Sequence, residues 1–450
     1  MTVAFIILCS LLALLPFLML VDGIAANGLV SAIGASGIVA VAFTLHTSDL
    51  NRFSRLLGPT AFIVLFIPCL WMLLQVLPIP TQSLANPIWI STSAALGKPF
   101  VGAISVDIGA TLLSLARYCA SLAAALVTAA VTLNKQRAES VLSLLTAIAA
   151  LIAVELIGFD LEYLRLPGFD RAAALNIAVI GFILSCATTI RAYEHLDTPS
   201  TRHRNLRMKA KVAASASIAA FLICLSAILV SADAVLLLAA LFGAGILISV
   251  LAIRRWRLGL WGQAGTAALA AVAVAGFFAV VPAKKDASPT LALSTHGQIS
   301  SIERMLSDAK WGGAGAGSFE ALLPIYRDSD VDSLEIPTAA ATIAIEMGQP
   351  FLWASVIVFL VGALMLFRRA LLRGRDYVYS SAGAACIIAL LISMFSNDGV
   401  LGLTASLMIS VLCGLAFAQS KSGSNREDPA EALYSLPTRT NAPAAAEASR

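Results

Sequence analysis

The chain has 450 residues, of which 59% are hydrophobic and only 12% are charged, and its mean hydropathy is +0.88. Water-soluble domains carry about a quarter charged residues, so this composition excludes a water-soluble fold. The formal net charge of +4 is small and is not gathered into one patch, which argues against nucleic acid as a partner. All seven cysteines lie in apolar segments, so their spacing indicates neither a disulfide framework nor a metal cluster.

Apolar stretches of about 20 residues, the length of helix that crosses a lipid bilayer, recur along most of the sequence. They predict an all-α polytopic membrane protein with about twelve transmembrane helices. The apolar windows are residues 3–21, 25–45, 59–78, 107–133, 141–159, 172–190, 213–231, 234–253, 263–282, 351–367, 378–396 and 399–418. The first has neither a basic leader nor a cleavage site, so we interpret it as a span and not as a signal peptide.

Short loops rich in Lys and Arg, of which 191–211 is the longest, alternate along the chain with loops that are poor in them. Because positively charged loops stay in the cytoplasm, both termini are predicted to be cytoplasmic. The chain then divides into helices 1–9 (1–282), one large outer loop between the ninth and tenth helices (283–350) and helices 10–12 (351–418). The tail, 419–450, is polar and rich in Ala, Pro and Ser, which predicts disorder.

The outer loop is longer than most helix connections, and long loops are disproportionately functional. Within residues 299–310, Ile302, Met305, Leu306 and Ala309 follow a helical spacing, which predicts an amphipathic helix along the membrane surface. The following Gly313-Ala314-Gly315-Ala316-Gly317 could form a backbone nest for an anionic oxygen. A flexible turn is the alternative.

The run GAGAGSFEALLPIYRD (313–328), with the Glu-Met-Gly of IEMGQP (346–348) after it, resembles the large periplasmic loop of the O-antigen ligase and O-antigen polymerase superfamily. Members typically show a G-x-G-x-G-x-F turn, a P-x-Y-R-like segment and an E-x-G that enters the next span. Residues 86–118 also resemble the first outer loop of this group, which includes exopolysaccharide polymerases. The usual His-Asn pair of ligases is replaced here by Pro337-Thr338, so the catalytic base is not assigned and a polymerase is favoured over a ligase.

The resemblance implies a metal-independent glycosyltransferase, without a cofactor, in the bacterial inner (plasma) membrane. It would polymerise or ligate undecaprenyl-diphosphate-linked oligosaccharides on the periplasmic face during O-antigen (lipopolysaccharide) or exopolysaccharide biosynthesis. Its partners would be the lipid-linked donor, a glycan or lipid acceptor and membrane lipids. Other polysaccharide assembly and export proteins are candidate partners.

Such a transfer needs cations that stabilise the leaving diphosphate and a carboxylate or His that positions the acceptor hydroxyl. The candidate catalytic residues are Arg304, Arg327, Glu346 and Glu320. The candidate substrate-binding residues are Gly313, Gly315, Gly317, Lys310, Tyr326, Arg117 and Arg165, and no metal ligands are expected.

Six of these residues have a simpler interpretation. Arg304, Arg327, Lys310 and Tyr326 could be anchors at the membrane–water interface, and Arg165 a solvated cation in a turn. Arg117 lies about 15 Å into its window by helical rise and could form a structural pair with Glu155. A small-solute transporter that needs such intramembrane charges, or a structural subunit of a glycan-export assembly, is the alternative function.

Overall fold

The computed structural model describes residues 1–21, 23–45, 50–51, 53–54, 58–78, 85–98, 101–164, 166–197, 204–256, 301–326, 337–372 and 376–421. Throughout these residues the chain is helical and contains no β-strand, so the predicted all-α class is confirmed. The α-helices are α1 (Thr2–Leu18), α2 (Ile24–Thr44), α3 (Pro59–Val76), α4 (Ile88–Leu96), α5 (Ile108–Val131), α6 (Lys135–Asp160), α7 (Arg171–Asp197), α8 (Arg204–Val230), α9 (Ala234–Trp256), α10 (Ser301–Asp308), α11 (Phe319–Tyr326), α12 (Ala339–Met347), α13 (Gln349–Leu372), α14 (Tyr377–Ser393) and α15 (Leu403–Lys421). A single 3-10 turn, Gly399–Leu401, precedes the last of them.

Among the described residues, eight helices are long and apolar enough to cross a membrane: α2, α5, α6, α7, α8, α9, α13 and α15. The apolar helices α1, α3 and α14 are shorter. All of them coincide with predicted apolar windows, and the remaining window, 263–282, lies outside the described residues. These helices support a polytopic protein embedded in a membrane.

Helix α7 is the central helix of the bundle, because 78% of its most apolar stretch is buried inside the protein. It packs against α6, α8, α9, α14 and α15. Small residues allow these helices to approach closely: a Cβ added to Gly181 would lie 2.6 Å from Ala149 Cβ and 2.8 Å from Cys224 Sγ. Spanning helices commonly pack through such small residues, since lipid supplies no hydrophobic force that would drive them together.

Charged and aromatic side chains join the ends of α6, α7, α9 and α14. Arg191 of α7 contacts Glu139 and Tyr379, and the Tyr377 hydroxyl donates to Glu194 Oε1 at 2.7 Å. The guanidinium of Arg254 lies 4.1 Å from the centre of the Tyr377 ring. This network lies at the helix ends that the Lys and Arg distribution predicts to face the cytoplasm. On α14 it involves the first residue, whereas α12 contacts the other end of α14, where Ala340 N donates to Met394 O at 2.9 Å.

Candidate functional site

Residues 312–318, which we call the glycine turn, connect α10 to α11. Gly313, Gly315 and Gly317 have φ values of +73°, +108° and +76°, in the left-handed region that favours glycine. The surroundings also leave no room for a side chain. A Cβ on Gly313 would lie 2.2 Å from the backbone oxygen of Glu346, and one on Gly317 would lie 2.5 Å from Ser114 Oγ.

The glycine turn pairs through its backbone with two distant segments. Ala314 N donates to Ile345 O at 2.9 Å, and Gly315 N donates to Glu346 O at 3.0 Å. On its other side, Val106 N donates to Ala314 O at 2.8 Å. The glycine turn, the end of α12 and the segment that leads into α5 therefore form one hydrogen-bonded unit.

Gln75, at the end of α3, ties this unit together, although the sequence pattern did not identify it. Its side chain is fully buried, and Nε2 donates to Gly312 O at 3.0 Å and to Glu346 O at 2.9 Å. Its Oε1 accepts from Ala316 N at 3.2 Å. The sequence does contain a sign of this role, because Gln75 is a polar amide inside an apolar window. Burying such an amide costs free energy unless it is hydrogen-bonded.

Replacing Gln75 with leucine should loosen the glycine turn, because the backbone groups of Gly312, Ala316 and Glu346 each lose a bond in a buried site. Each such loss costs about 1–3 kcal/mol. We expect faster hydrogen exchange in residues 312–318 and a lower melting temperature of the purified protein. Gln136→Leu, at an exposed position at the start of α6, is the matched control. Equal exchange rates in the two variants would contradict the role of Gln75.

The side chain of Glu346 lies inside the glycine turn. Its Oε1 accepts from Phe319 N at 3.1 Å, and the N–H of Gly317 also hydrogen-bonds to the carboxylate. Burial raises the pKa of Glu346 to about 7; these two N–H groups act in the opposite direction, and the charge of Glu320 raises it further. The backbone nest that the glycine pattern suggested is thus filled by a carboxylate of the chain itself.

The predicted amphipathic helix is present as α10, but its environment differs from the expectation. Ile302 and Met305 are buried against Phe319, Ala341 and Ile345 of α11 and α12. Its apolar face therefore packs on protein and not on lipid, because two short helices from elsewhere in the loop supply an apolar surface. Helix α10 also carries Arg304, and Phe319 of the same small core donates from its backbone to Glu346.

Three further predicted loop residues, Lys310, Tyr326 and Glu320, lie on the segments next to the glycine turn. Lys310 Nζ donates to Ala85 O at 3.2 Å, which ties the turn to the first outer loop. Tyr326 donates from its hydroxyl to Asp308 Oδ2 at 3.2 Å, and burial together with Asp308 raises the pKa of this tyrosine. Glu320 is exposed in the first turn of α11. Arg327 and Arg165 lie outside the described residues.

Thr338 directly precedes α12. Its side-chain oxygen accepts from Ala341 N at 3.1 Å and so caps the N-terminus of α12. The helix that ends in Glu346 is also held at its start, where Ala339 N donates to Asn397 O at 2.9 Å. This position therefore serves the geometry of α12 in this chain.

Arg117 of α5 does not pair with Glu155, so that interpretation is wrong. Its Nε donates to Asn27 Oδ1 at 2.8 Å, and Asn27 belongs to the first turn of α2. The guanidinium thus lies near the end of α2, because helical side chains lean toward the helix N-terminus and Arg is long. Glu155 Oε2 is buried and has no hydrogen-bond partner in the described part of the chain.

The residues that the sequence selected are therefore brought together in large part. The glycine turn, Glu346, Glu320, Arg304, Lys310 and Tyr326 belong to one unit of short helices, and α5 carries Arg117 alongside it. No protein-family model and no curated protein matches this chain.

Proposed function

We propose that the chain is a multi-pass inner-membrane glycosyltransferase of the O-antigen polymerase and ligase type. It has about twelve spans, cytoplasmic termini and a periplasmic loop at 283–350. It acts on undecaprenyl-diphosphate-linked oligosaccharides and transfers the glycan to a glycan or lipid acceptor, without a metal. A polymerase remains the favoured form, because Pro337-Thr338 replaces the His-Asn pair of ligases.

The observation that carries the proposal is the position and ionisation of Glu346. Its carboxyl group accepts from the backbone N–H groups of Gly317, in the glycine turn, and of Phe319, next to it, and burial raises its pKa to about 7. A group with a pKa close to the working pH is well suited to remove a proton from an acceptor hydroxyl. Glu346 therefore takes the role of general base that the histidine of ligases would otherwise fill.

The packing of the outer segments further supports the proposal. The two parts of the sequence that carry the family resemblance, 86–118 and 313–328, meet through the bond from Val106 N to Ala314 O. Lys310 extends this contact through its bond to Ala85 O. These bonds join the two segments into one hydrogen-bonded unit.

Cations around this unit would stabilise the leaving diphosphate, since charge developing on phosphate oxygens is best offset by fixed donors in a site that excludes water. Arg304 on α10 and Lys310 both precede the glycine turn, and Arg117 lies on α5. Glu346 would activate the acceptor hydroxyl, and these cations would stabilise the leaving group.

Complementation of a deletion strain tests the proposal. Wild-type protein should restore the surface glycan, whereas Arg304→Ala and Glu346→Ala should not. A single-repeat product in the deletion strain indicates a lost polymerase, and long chains that stay on the lipid carrier indicate a lost ligase. Unchanged glycan length and amount in both variants, at wild-type protein levels in the membrane, would refute the assigned site.

The pH dependence of the reaction gives a separate prediction. Because Glu346 must be deprotonated to act as a base, the rate should rise with pH through a midpoint of about 7. Glu320→Gln removes a negative charge that raises the pKa of Glu346, so the midpoint should move to lower pH. Rates measured from pH 5 to 9 for both proteins provide the check, and a midpoint that stays in place or rises in Glu320→Gln would contradict it.

The transporter alternative rests on Glu155, whose buried Oε2 has no hydrogen-bond partner among the described residues of this apolar helix. A carboxyl group in such a place is a common proton carrier in transporters. Two variants distinguish the two functions. Glu155→Gln would abolish transport and leave glycan transfer intact, whereas Glu346→Gln would abolish glycan transfer and leave transport intact.

A further inference from the structure

A short neck closes the loop that carries α4, between α3 and α5. Asn86 N donates to Ala103 O at 2.9 Å, and a Cβ added to Gly102 would lie 2.7 Å from Ala85 Cβ. Lys310 Nζ donates to Ala85 O at 3.2 Å. The neck is thus tied to the residues that lead into the glycine turn.

Two hydrogen bonds connect α4 to the last turn of α3. Trp89 of α4 donates from Nε1 to Ser105 O at 3.0 Å, and Ser105 N donates to Gln75 O at 3.0 Å. Gln75 belongs to the last turn of α3, and the apolar side chains of Leu74 and Leu77 around it are exposed. Helix α4 therefore lies close to the place where α3 leaves the bilayer.

The composition of α4 is unsuited to water. Its side chains are apolar or small, and none of them is buried; Ile90 is 56% exposed and Leu96 is 59% exposed. The hydroxyl of Thr92 donates to Ile88 O at 2.8 Å, so it has a partner within the helix. Helices that are apolar on all sides occur in cores and in membranes. Nine residues are far fewer than the roughly 20 that cross the hydrocarbon core, so α4 cannot span it.

Two further exposed side chains have the chemistry of the membrane–water interface. Trp311 is 85% exposed and directly follows Lys310, whose amine holds the neck of the α4 loop. Tryptophan is enriched where membrane proteins cross this interface. Lys98 is exposed just after Gly97, the C-cap of α4, and a lysine beside an apolar helix can reach lipid phosphate.

We propose that α4, Trp311 and Lys98 form a surface that docks into the bilayer leaflet nearer the glycine turn, with α4 lying along the plane of the membrane. Lipid is the partner of this surface, because the surface begins at the last turn of α3, whose own exposed apolar side chains face lipid. The contact holds the neck, and through Lys310 the start of the glycine turn, at the membrane surface. It goes beyond the proposed function and does not depend on the reaction.

Photo-crosslinking of the full-length protein in native membranes tests the proposal. With p-benzoylphenylalanine in place of Leu96, irradiation should produce lipid adducts. The matched control carries the same residue in place of Ser307, an exposed position of α10. We expect about tenfold more lipid adduct from position 96, because an interfacial helix buries its apolar side chains among acyl chains. Crosslinks from position 96 to another protein instead of lipid, or equal lipid adducts from both positions, would overturn the proposal.

Tryptophan fluorescence in nanodiscs gives a second readout. The emission that is lost in Trp311→Phe should be quenched more strongly by brominated lipids than by iodide in the water. Trp353→Phe is the positive control, because Trp353 is 52% exposed on the spanning helix α13. Stronger quenching of Trp311 by iodide would show that this surface faces water, and the docking proposal would be wrong while the transferase proposal stands.

Discussion

Glu346→Gln should lower the rate of glycan transfer by about a hundredfold or more, which is the usual contribution of a general base. Glutamine keeps an oxygen that can accept from Phe319 N, so the glycine turn should stay folded and the loss should lie in kcat. Rates of purified protein with lipid-linked donor measure the effect, and the melting temperature shows whether the fold is kept.

Glu162→Gln is the matched control for this substitution, because it makes the same chemical change on an exposed carboxylate between α6 and α7, outside the unit of short helices. It should retain most of the activity above pH 8, where Glu346 is deprotonated in both proteins. A Glu346→Gln protein with wild-type kcat would show that Glu346 is not the general base.

Gly313→Ala should abolish activity and lower stability by several kcal/mol. A left-handed backbone costs an L-residue about 1–2 kcal/mol, and forcing atoms into a filled site costs about 1–3 kcal/mol more. The added Cβ would lie 2.2 Å from Glu346 O, so α12 must move away from the glycine turn. Thermal unfolding and transfer rates of the purified variant measure both effects.

The adjacent glycine provides the control. A Cβ on Gly312 would meet only Ile104 Cγ2, at 3.6 Å, which is ordinary contact, and the φ of Gly312 is not in the left-handed region. Gly312→Ala should therefore behave like the wild-type protein. Equal stability and activity of the two alanine variants would show that the close approach of the glycine turn to α12 is not required.

The spanning helices could be predicted from the sequence because their signal is local: an apolar run of sufficient length needs no information about its neighbours. The same holds for α10, whose apolar residues recur at helical spacing. The short helices α4, α11 and α12 were not predicted, since their apolar and polar residues are not separated onto two faces as clearly as those of α10. The packing partner of α10 was also missed, because Phe319 and Ile345 come from other segments.

In the candidate site, too, local features could be predicted and long-range contacts could not. The glycines and Glu346 could be selected by motif, but the sequence could not show that the carboxylate itself occupies the nest. Gln75 and Asn27 were missed because each is a single polar residue in an apolar window. The role of each depends on a hydrogen-bond partner that lies far away in the sequence. Counting residues along α5 predicts that Arg117 lies deep in the membrane. Its side chain extends back along the helix, however, and the guanidinium contacts the first turn of α2.

The reaction of the purified protein with the lipid-linked oligosaccharides that accumulate in its own deletion strain tests the central claim most directly. With these solubilised membranes and a metal chelator, the wild-type protein should lengthen or transfer the glycan and release undecaprenyl diphosphate, while folded Glu346→Gln should not. No transfer by the wild-type protein, or equal transfer by both, would contradict a glycosyltransferase built on this site.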